Sequence, residues 1–137
     1  MPAFIAKRLV QMLIQKGKSP QNAKVLVKGM TFKEDVSDIR NSKVVDLINE
    51  LMDYSVNVHV VDVYASPNEV AHEYKLTLID KPSNDYDAVI VAVGHEAYKG
   101  LSEQDFAGLM AEDAVLMDLK SLYINLKDST KFSYWSL

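Results

Sequence analysis

Apolar and polar residues follow two different periods along this chain. Apolar residues recur at three- or four-residue spacing in four segments, which predicts helices over 3–15, 42–54, 67–74 and 102–110. Short apolar runs bounded by turn residues predict strands over 24–28, 57–62, 76–79, 88–93 and 114–119. Because strands that alternate with helices form mostly parallel sheets, the pattern predicts a three-layer α/β domain of about five strands with helices on both faces.

Individual residues mark the ends of some of these elements. Ser66 precedes Pro67, and Ser102 and Asp105 have the spacing of a capping box, so both positions are predicted helix starts. The strand at 114–119 is the last that the pattern predicts. We expect Trp135 and its neighbour Tyr134 to pack the C-terminal tail onto the domain.

The composition is that of one soluble globular domain. The 137 residues are 48% hydrophobic and 25% charged, which is enough for a proper core. A net charge of -4 argues against nonspecific nucleic-acid binding, and no apolar run approaches the roughly 20 residues of a membrane span. We therefore expect neither nucleic acid nor membrane as a partner. The absence of cysteine excludes a disulfide framework and a cysteine nucleophile, and it fits a cytoplasmic location.

The loop between the first predicted strand and the second predicted helix carries the strongest functional signal. The strand stops at Gly29, and the loop is dense in charged residues. Open α/β sheets bind ligands at the carboxyl ends of their strands, so Lys33 and Arg40, followed by a helix N-terminus, suit an anion such as a pyrophosphate. Lys120 ends the last predicted strand and would reach the same edge of a parallel sheet. The alternative is a solvated loop whose charges pair with its own acids, Glu34, Asp35 and Asp38.

Asp62 and the histidines each admit a functional and a structural interpretation. Asp62 ends a strand, where dinucleotide-binding folds place the acid that holds a ribose hydroxyl. The five glycines nowhere form G-x-G-x-x-G, however, which favours a structural role. His95 follows the most apolar strand; it could be a general base, but hydrogen bonding to the backbone or capping of the strand end is favoured. His59 and His72 lie in different elements, too scattered to indicate a metal site.

Several segments carry a resemblance to a known family. Residues 29–35 (GMTFKED) and 38–42 (DIRNS) resemble the signature that opens the C-terminal, UDP-binding domain of the UDP-glucose/GDP-mannose dehydrogenase family. Residues 92–101 (AVGHEAYKGL) and 118–120 (DLK) are similar to the members that oxidise UDP-N-acetylhexosamines, with Ser121 in place of the usual glycine. The resemblance covers nearly the whole chain.

The resemblance implies a Rossmann-like fold and a role for each of four side chains. Phe32 and Lys33 would touch the UDP-sugar. Lys120 would contact it as well, with lysine where other members have arginine, which keeps the charge but loses the bidentate fork. Arg40 would reach the pyrophosphate of NAD across a domain interface.

The resemblance also implies a longer enzyme. Residues 1–18 would be the end of a helical segment that leaves a middle domain absent from this chain, and residues 19–137 the UDP-sugar-binding C-terminal domain. Family members oxidise the sugar C6 alcohol to a carboxylate in two NAD-dependent steps, through a thioester on a middle-domain cysteine, for surface polysaccharide synthesis. NAD would be bound mainly by an N-terminal domain, and the full-length enzyme would be a homo-oligomer. We therefore expect no catalytic residue and no metal in this chain, which would be inactive alone.

Two other function classes stay open from the sequence. A phospho-receiver signalling domain would use Asp62 as its phosphoryl acceptor beside magnesium and Lys120 as its lysine. Receivers need an acidic pair just after the first strand, however, and residues 29–31 read Gly-Met-Thr there. The second alternative is a purely structural or dimer-supporting domain that has lost its ligand contacts.

Overall fold

The computed structural model describes residues 2–137. Within this range the chain forms four α-helices: α1 (Pro2–Gln15), α2 (Lys43–Asp53), α3 (Pro67–Tyr74) and α4 (Glu103–Ala107). The strands of this range are β1 (Lys24–Lys28), β2 (Asn57–Val61), β3 (Tyr86–Val91), β4 (Met110–Asp118) and β5 (Phe132–Ser136). Single 3₁₀ turns lie at Pro20–Asn22, Glu96–Tyr98 and Ile124–Leu126. None of the helices in the described part of the chain has the length and apolar character that crossing a membrane requires.

The five strands form one sheet in the order β2-β1-β3-β4-β5, and every pairing is parallel. The predicted α/β domain with a mostly parallel sheet is therefore confirmed. The chain moves outward from β1 to β2 and then crosses back to β3 on the other side of β1. Because the strand order reverses between β1 and β3, a crevice is expected outside their carboxyl ends, where sheets of this order bind ligands.

Helices cover both faces of the sheet, as predicted, but unequally. On one face α1 and α2 pack together and fully bury Leu9, Leu13 and Ile48. The opposite face carries the short α4 and two 3₁₀ turns, with Phe106 and Tyr123 fully buried. Full burial of one such leucine or isoleucine contributes about 1.5–3 kcal/mol, whereas an exposed ion pair contributes about 0–1 kcal/mol. The two apolar clusters therefore hold the sheet and fix the position of its carboxyl edge.

The C-terminal tail packs onto the domain as predicted, but it does so as a strand that the pattern did not predict. Residues 132–136 form the edge strand β5 beside β4, so the strand at 114–119 is not the last, and Trp135 and Tyr134 pack against the two apolar clusters. The segment reads Phe-Ser-Tyr-Trp-Ser, and Phe132 is buried in the core. Aromatic residues are typical of strands, so the segment carried a strand signal; its shortness and the polar residues before it obscured that signal.

Two further elements differ from the prediction. The strand predicted at 76–79 is reduced to one bridge between Leu78 and Val60. The helix predicted at 102–110 ends at Ala107, and Met110 already belongs to β4. The capping box predicted at the start of that helix is present.

Candidate functional site

A cavity of about 340 Å³ opens at the carboxyl edge of the sheet, near the reversal of strand order. Phe32 and Lys33, from the loop after β1, line it together with Lys120, from the loop after β4. Ala92 and Val93, which follow β3, also belong to its wall. The three residues to which the resemblance assigns the UDP-sugar therefore share one cavity.

The wall of this cavity is rich in lysine. Besides Lys33 and Lys120 it contains Lys43, the first residue of α2, and among the described lining residues Glu34 alone is acidic. Within residues 2–137, none of these lysines forms an ion pair. The positive end of the α2 dipole adds to the field, so the cavity suits an anion. Lys43 was not predicted, although its place directly after the N-cap Ser42 was a usable signal.

Apolar side chains complete the wall. Ile5 from α1 and Val44 and Leu47 from α2 line the cavity with Leu137. The Phe32 side chain is also apolar, and the residue is 54% exposed, so its ring is free to meet a ligand. Ligand pockets commonly combine an apolar lining with a few convergent polar groups that fix orientation. The wall therefore fits a ligand that has both phosphates and a flat or apolar part.

The loop after β1 begins at a residue that must lack a side chain. Gly29 has a φ of 96°, a conformation that favours glycine, and a Cβ there would lie 2.8 Å from the Cβ of Val93. Its N–H donates to the carbonyl of Val61 over 2.8 Å. Glycine therefore allows the chain to leave β1 close against the end of β3, which brings the loop to the cavity.

One hydrogen bond closes this loop on itself, and two more tie it to the start of α2. The Phe32 N–H donates to the Asp38 carbonyl over 2.7 Å, which closes the charged segment into a compact turn. The Ser42 hydroxyl donates to the Met30 carbonyl over 2.7 Å and accepts the N–H of Val44 over 3.3 Å. Ser42 is therefore both the N-cap of α2 and the tie that holds the loop to the helix.

Asp62 is a buried anchor, as its structural interpretation predicted. Its side chain is 0% exposed, and its oxygens accept the N–H groups of Met30 (2.7 Å), Tyr64 (2.7 Å) and Ala65 (2.9 Å). The Nε2 atom of His95 lies 3.1 Å from Oδ2. Burial raises the pKa of this carboxyl, but the hydrogen bonds together outweigh it, so the pKa of Asp62 lies below its ordinary value.

His95 also takes the structural role favoured by the sequence. His95 is fully buried, and its Nδ1 accepts the backbone N–H of Asp35 over 2.9 Å. His59 Nδ1 lies 2.8 Å from the hydroxyl of Tyr86, while His72 is exposed on α3. In the part of the chain that the structure describes, no three potential metal ligands come together.

A second buried carboxylate holds the loop that carries Lys120. Asp118, at the end of β4, is fully buried and accepts the N–H groups of Leu122 (3.0 Å) and Tyr123 (2.8 Å). The hydroxyl of Tyr134 in β5 donates to the same carboxylate. Burial and the neighbouring carboxylate raise the pKa of Tyr134 to about 12. Asp118 was noted only as part of a motif, and its role in fixing this loop was not predicted.

The match to a known family covers the loops that line the cavity. The sequence profile of the UDP-glucose/GDP-mannose dehydrogenase family, UDP binding domain, matches residues 26–125. The chain belongs to this family. The recognised motifs and the residues after β1, β3 and β4 all lie inside the matched part of this UDP-binding domain.

Relatives of the UDP-binding domain are parts of longer dehydrogenases. The UDP-N-acetyl-D-glucosamine 6-dehydrogenase of Pseudomonas aeruginosa is 37% identical over 123 residues, which cover 89% of this chain and 29% of the relative. Protein CapL of Staphylococcus aureus has the same identity and coverage. The NDP-N-acetyl-D-galactosaminuronic acid dehydrogenase structure from Methanosarcina mazei Go1 has a TM-score of 0.85 at 23% identity, over 99% of this chain and 29% of that one, and shares the fold. The chain thus spans less than a third of these proteins.

Arg40 stands apart from the cavity of the UDP-binding domain. Its Nε lies 3.1 Å from Oδ1 of Asp38, and both side chains are well exposed. This hydrogen bond holds the pKa of Asp38 below its ordinary value. Lys33 lines the cavity and Arg40 does not, so the two do not meet at one anion site in this structure. The pairing with loop acids that was the alternative interpretation is present for Arg40.

The buried state of Asp62 rules out the phospho-receiver alternative for this UDP-binding domain. A phosphoryl acceptor must reach solvent and a metal ion, whereas both oxygens of Asp62 are occupied by hydrogen bonds inside the protein. That alternative is wrong.

Proposed function

We propose that this chain is the UDP-sugar-binding C-terminal domain of an NAD-dependent nucleotide-sugar 6-dehydrogenase. The cavity shared by Phe32, Lys33 and Lys120 is the observation that carries the proposal. Lys33 and Lys120 face the diphosphate as unpaired cations, and Phe32 offers its ring to the uracil or sugar. The similarity to the UDP-N-acetyl-D-glucosamine 6-dehydrogenase of Pseudomonas aeruginosa supports a UDP-N-acetylhexosamine as the sugar nucleotide.

The proposed whole enzyme converts the sugar C6 alcohol to a carboxylate in the cytoplasm, giving a uronic acid for surface polysaccharide. In this scheme residues 19–137 bind and orient the nucleotide, and residues 1–18 lead in from a middle domain. No residue of this chain is assigned to the chemical steps. The chain works with N-terminal and middle domains of its own protein, in a homo-oligomer.

NAD does not fit the residues of this domain alone. The turn after β1 has the single glycine Gly29 where a dinucleotide site has several, and Asp62, the residue placed for a ribose, is buried and fully hydrogen-bonded. We therefore assign NAD mainly to the N-terminal domain. Arg40 is the residue of this chain that we propose to reach its pyrophosphate, because its side chain is exposed outside the UDP cavity.

A ligand series tests the proposed recognition of a diphosphate. UDP is expected to bind the enzyme at least about tenfold more tightly than uridine, because charge-assisted contacts to phosphate are lost with the phosphates. The difference should shrink at high salt, which screens exposed charges. Calorimetric titration with UDP, UMP and uridine measures both effects, and equal affinities for UDP and uridine would contradict the proposal.

Arg40 and Lys33 are expected to affect different ligands. Arg40→Ala should raise the KM for NAD by about tenfold, the cost of one charge-assisted contact, and leave the KM for the UDP-sugar unchanged. Steady-state kinetics of the enzyme containing this domain separates the two values. Asp38→Asn is the matched control, because it frees Arg40 from its ion pair without removing the guanidinium. If Arg40→Ala raised only the KM for the UDP-sugar, the assignment of Arg40 to NAD would be wrong.

A further inference from the structure

One buried imidazole contacts both ends of the segment that presents Phe32 and Lys33. His95 is 0% exposed and follows β3. Its Nε2 lies 3.3 Å from the hydroxyl oxygen of Thr31, and its Nδ1 lies 2.9 Å from the backbone nitrogen of Asp35. The two ligand-facing residues lie between these contacts in the sequence.

The partners of His95 determine where its proton is. A backbone N–H can only donate, so Nδ1 accepts from Asp35 and carries no hydrogen. The Thr31 hydroxyl donates its hydrogen to the Lys33 carbonyl over 2.8 Å, so its oxygen accepts from Nε2. Oδ2 of Asp62, 3.1 Å from Nε2, is a second acceptor for the same proton. The ring is therefore neutral, with its hydrogen on Nε2.

The surroundings of the ring leave it little freedom. Asp62 is itself fixed by the backbone N–H groups of four residues, Met30, Thr31, Tyr64 and Ala65, so it is a rigid acceptor. Tyr64 and Tyr98 contact the imidazole edge-on, with ring centroids 4.8 Å and 5.4 Å away. The Asp35 carboxylate in turn accepts the N–H of Glu96, next to His95 in the chain. The segment after β1 and the segment after β3 are therefore each held on their own side of this contact.

We propose that His95 is a positioning residue that holds Thr31–Asp35 in the form that binds the UDP-sugar. The proposal rests on the function proposed above. Because both ring nitrogens are engaged and the ring is buried, His95 acts on the ligand only through the segment that it holds. Ligand contacts depend on such prior ordering, since a loop that must be ordered on binding lowers affinity.

Two substitutions separate the two ends of the segment. His95→Asn places an amide near the Nδ1 position and gives up the contact with Thr31 and Asp62. His95→Gln reaches toward the Nε2 position and gives up the contact with Asp35. We expect each to lower the affinity for UDP by about tenfold, because each frees one end of the segment. His72→Asn, at an exposed histidine on α3, is the matched control and should bind UDP as the parent does.

Hydrogen exchange tests the same inference without any nucleotide. The Asp35 amide should exchange at least about tenfold faster in His95→Gln than in the parent or His72→Asn, because its acceptor is gone. Unchanged exchange at Asp35 overturns the inference whatever the nucleotide data show. Affinities for UDP within about twofold of the control in both His95 variants also overturn it.

The readouts distinguish this inference from the proposed function. If the parent fails to bind UDP at all, the proposed function fails, and with it the role assigned to the segment. If the His95 variants do not fold, Thr31→Val takes their place, since it removes only the hydroxyl between Nε2 and the Lys33 carbonyl. It is expected to weaken UDP binding in the same direction, and parent-like binding by a folded Thr31→Val then overturns the inference.

Discussion

Replacing Asp62 with alanine is expected to lower the free energy of unfolding by about 3–5 kcal/mol. The substitution removes the acceptor of the Met30 and Ala65 N–H groups, which lie in buried residues, and of His95. Each buried donor left unpaired costs about 1–3 kcal/mol, so the sum exceeds the effect of an ordinary surface change. Urea denaturation monitored by circular dichroism measures it.

The control and the pH dependence make this prediction specific. Asp80→Ala, at an exposed aspartate, should change stability by less than about 0.5 kcal/mol. The pKa of Asp62 is lower in the folded protein than in the unfolded chain, so its carboxylate stabilises the fold above the unfolded pKa, near about 4. That stabilisation is lost as the pH falls through the folded pKa. Asp62→Asn should therefore lose less stability in acid than the parent, and identical acid profiles would contradict the assignment.

Removing Lys33 and Lys120, two of the three cavity lysines, is expected to produce the largest loss of ligand affinity. Lys33→Met and Lys120→Met should each weaken UDP binding by about tenfold, and the double substitution by about a hundredfold, because each removes a charge-assisted contact to phosphate. Methionine retains an unbranched apolar chain, so the fold should persist. Lys81→Met, at an exposed lysine outside the cavity, should bind UDP as the parent does. NMR titration of the four variants measures these affinities.

The parts of the site that follow from local signals could be predicted. An apolar run, Gly29 and the N-cap Ser42 define β1, the loop and the start of α2 from neighbouring residues alone. The meeting of Lys33 and Lys120 at one edge follows from parallel strand direction, since all carboxyl ends of such a sheet face one way.

The remaining features depend on contacts between distant residues. His95 lies 60 positions from Asp35 and 33 from Asp62, so no sequence period connects the three residues. The sequence favoured a structural role for His95 and for Asp62 separately, but not their contact. The strand β5 is positioned by its pairing with β4. The side chain of Tyr134 is positioned by its hydrogen bond to the buried Asp118. Such pairings are set by tertiary packing, which can override weak local propensity.

Titrating UDP while following the assigned backbone NMR spectrum of the chain locates the nucleotide site residue by residue. At about 10 mM UDP even a millimolar site is largely occupied, so weak affinity does not hide it. We expect the largest shifts at Phe32, Lys33 and Lys120 and their immediate neighbours, and we expect them to vanish in the variant that carries both Lys33→Met and Lys120→Met. Shifts confined to another surface, or no shifts at these three residues, would contradict the assignment of this cavity to UDP.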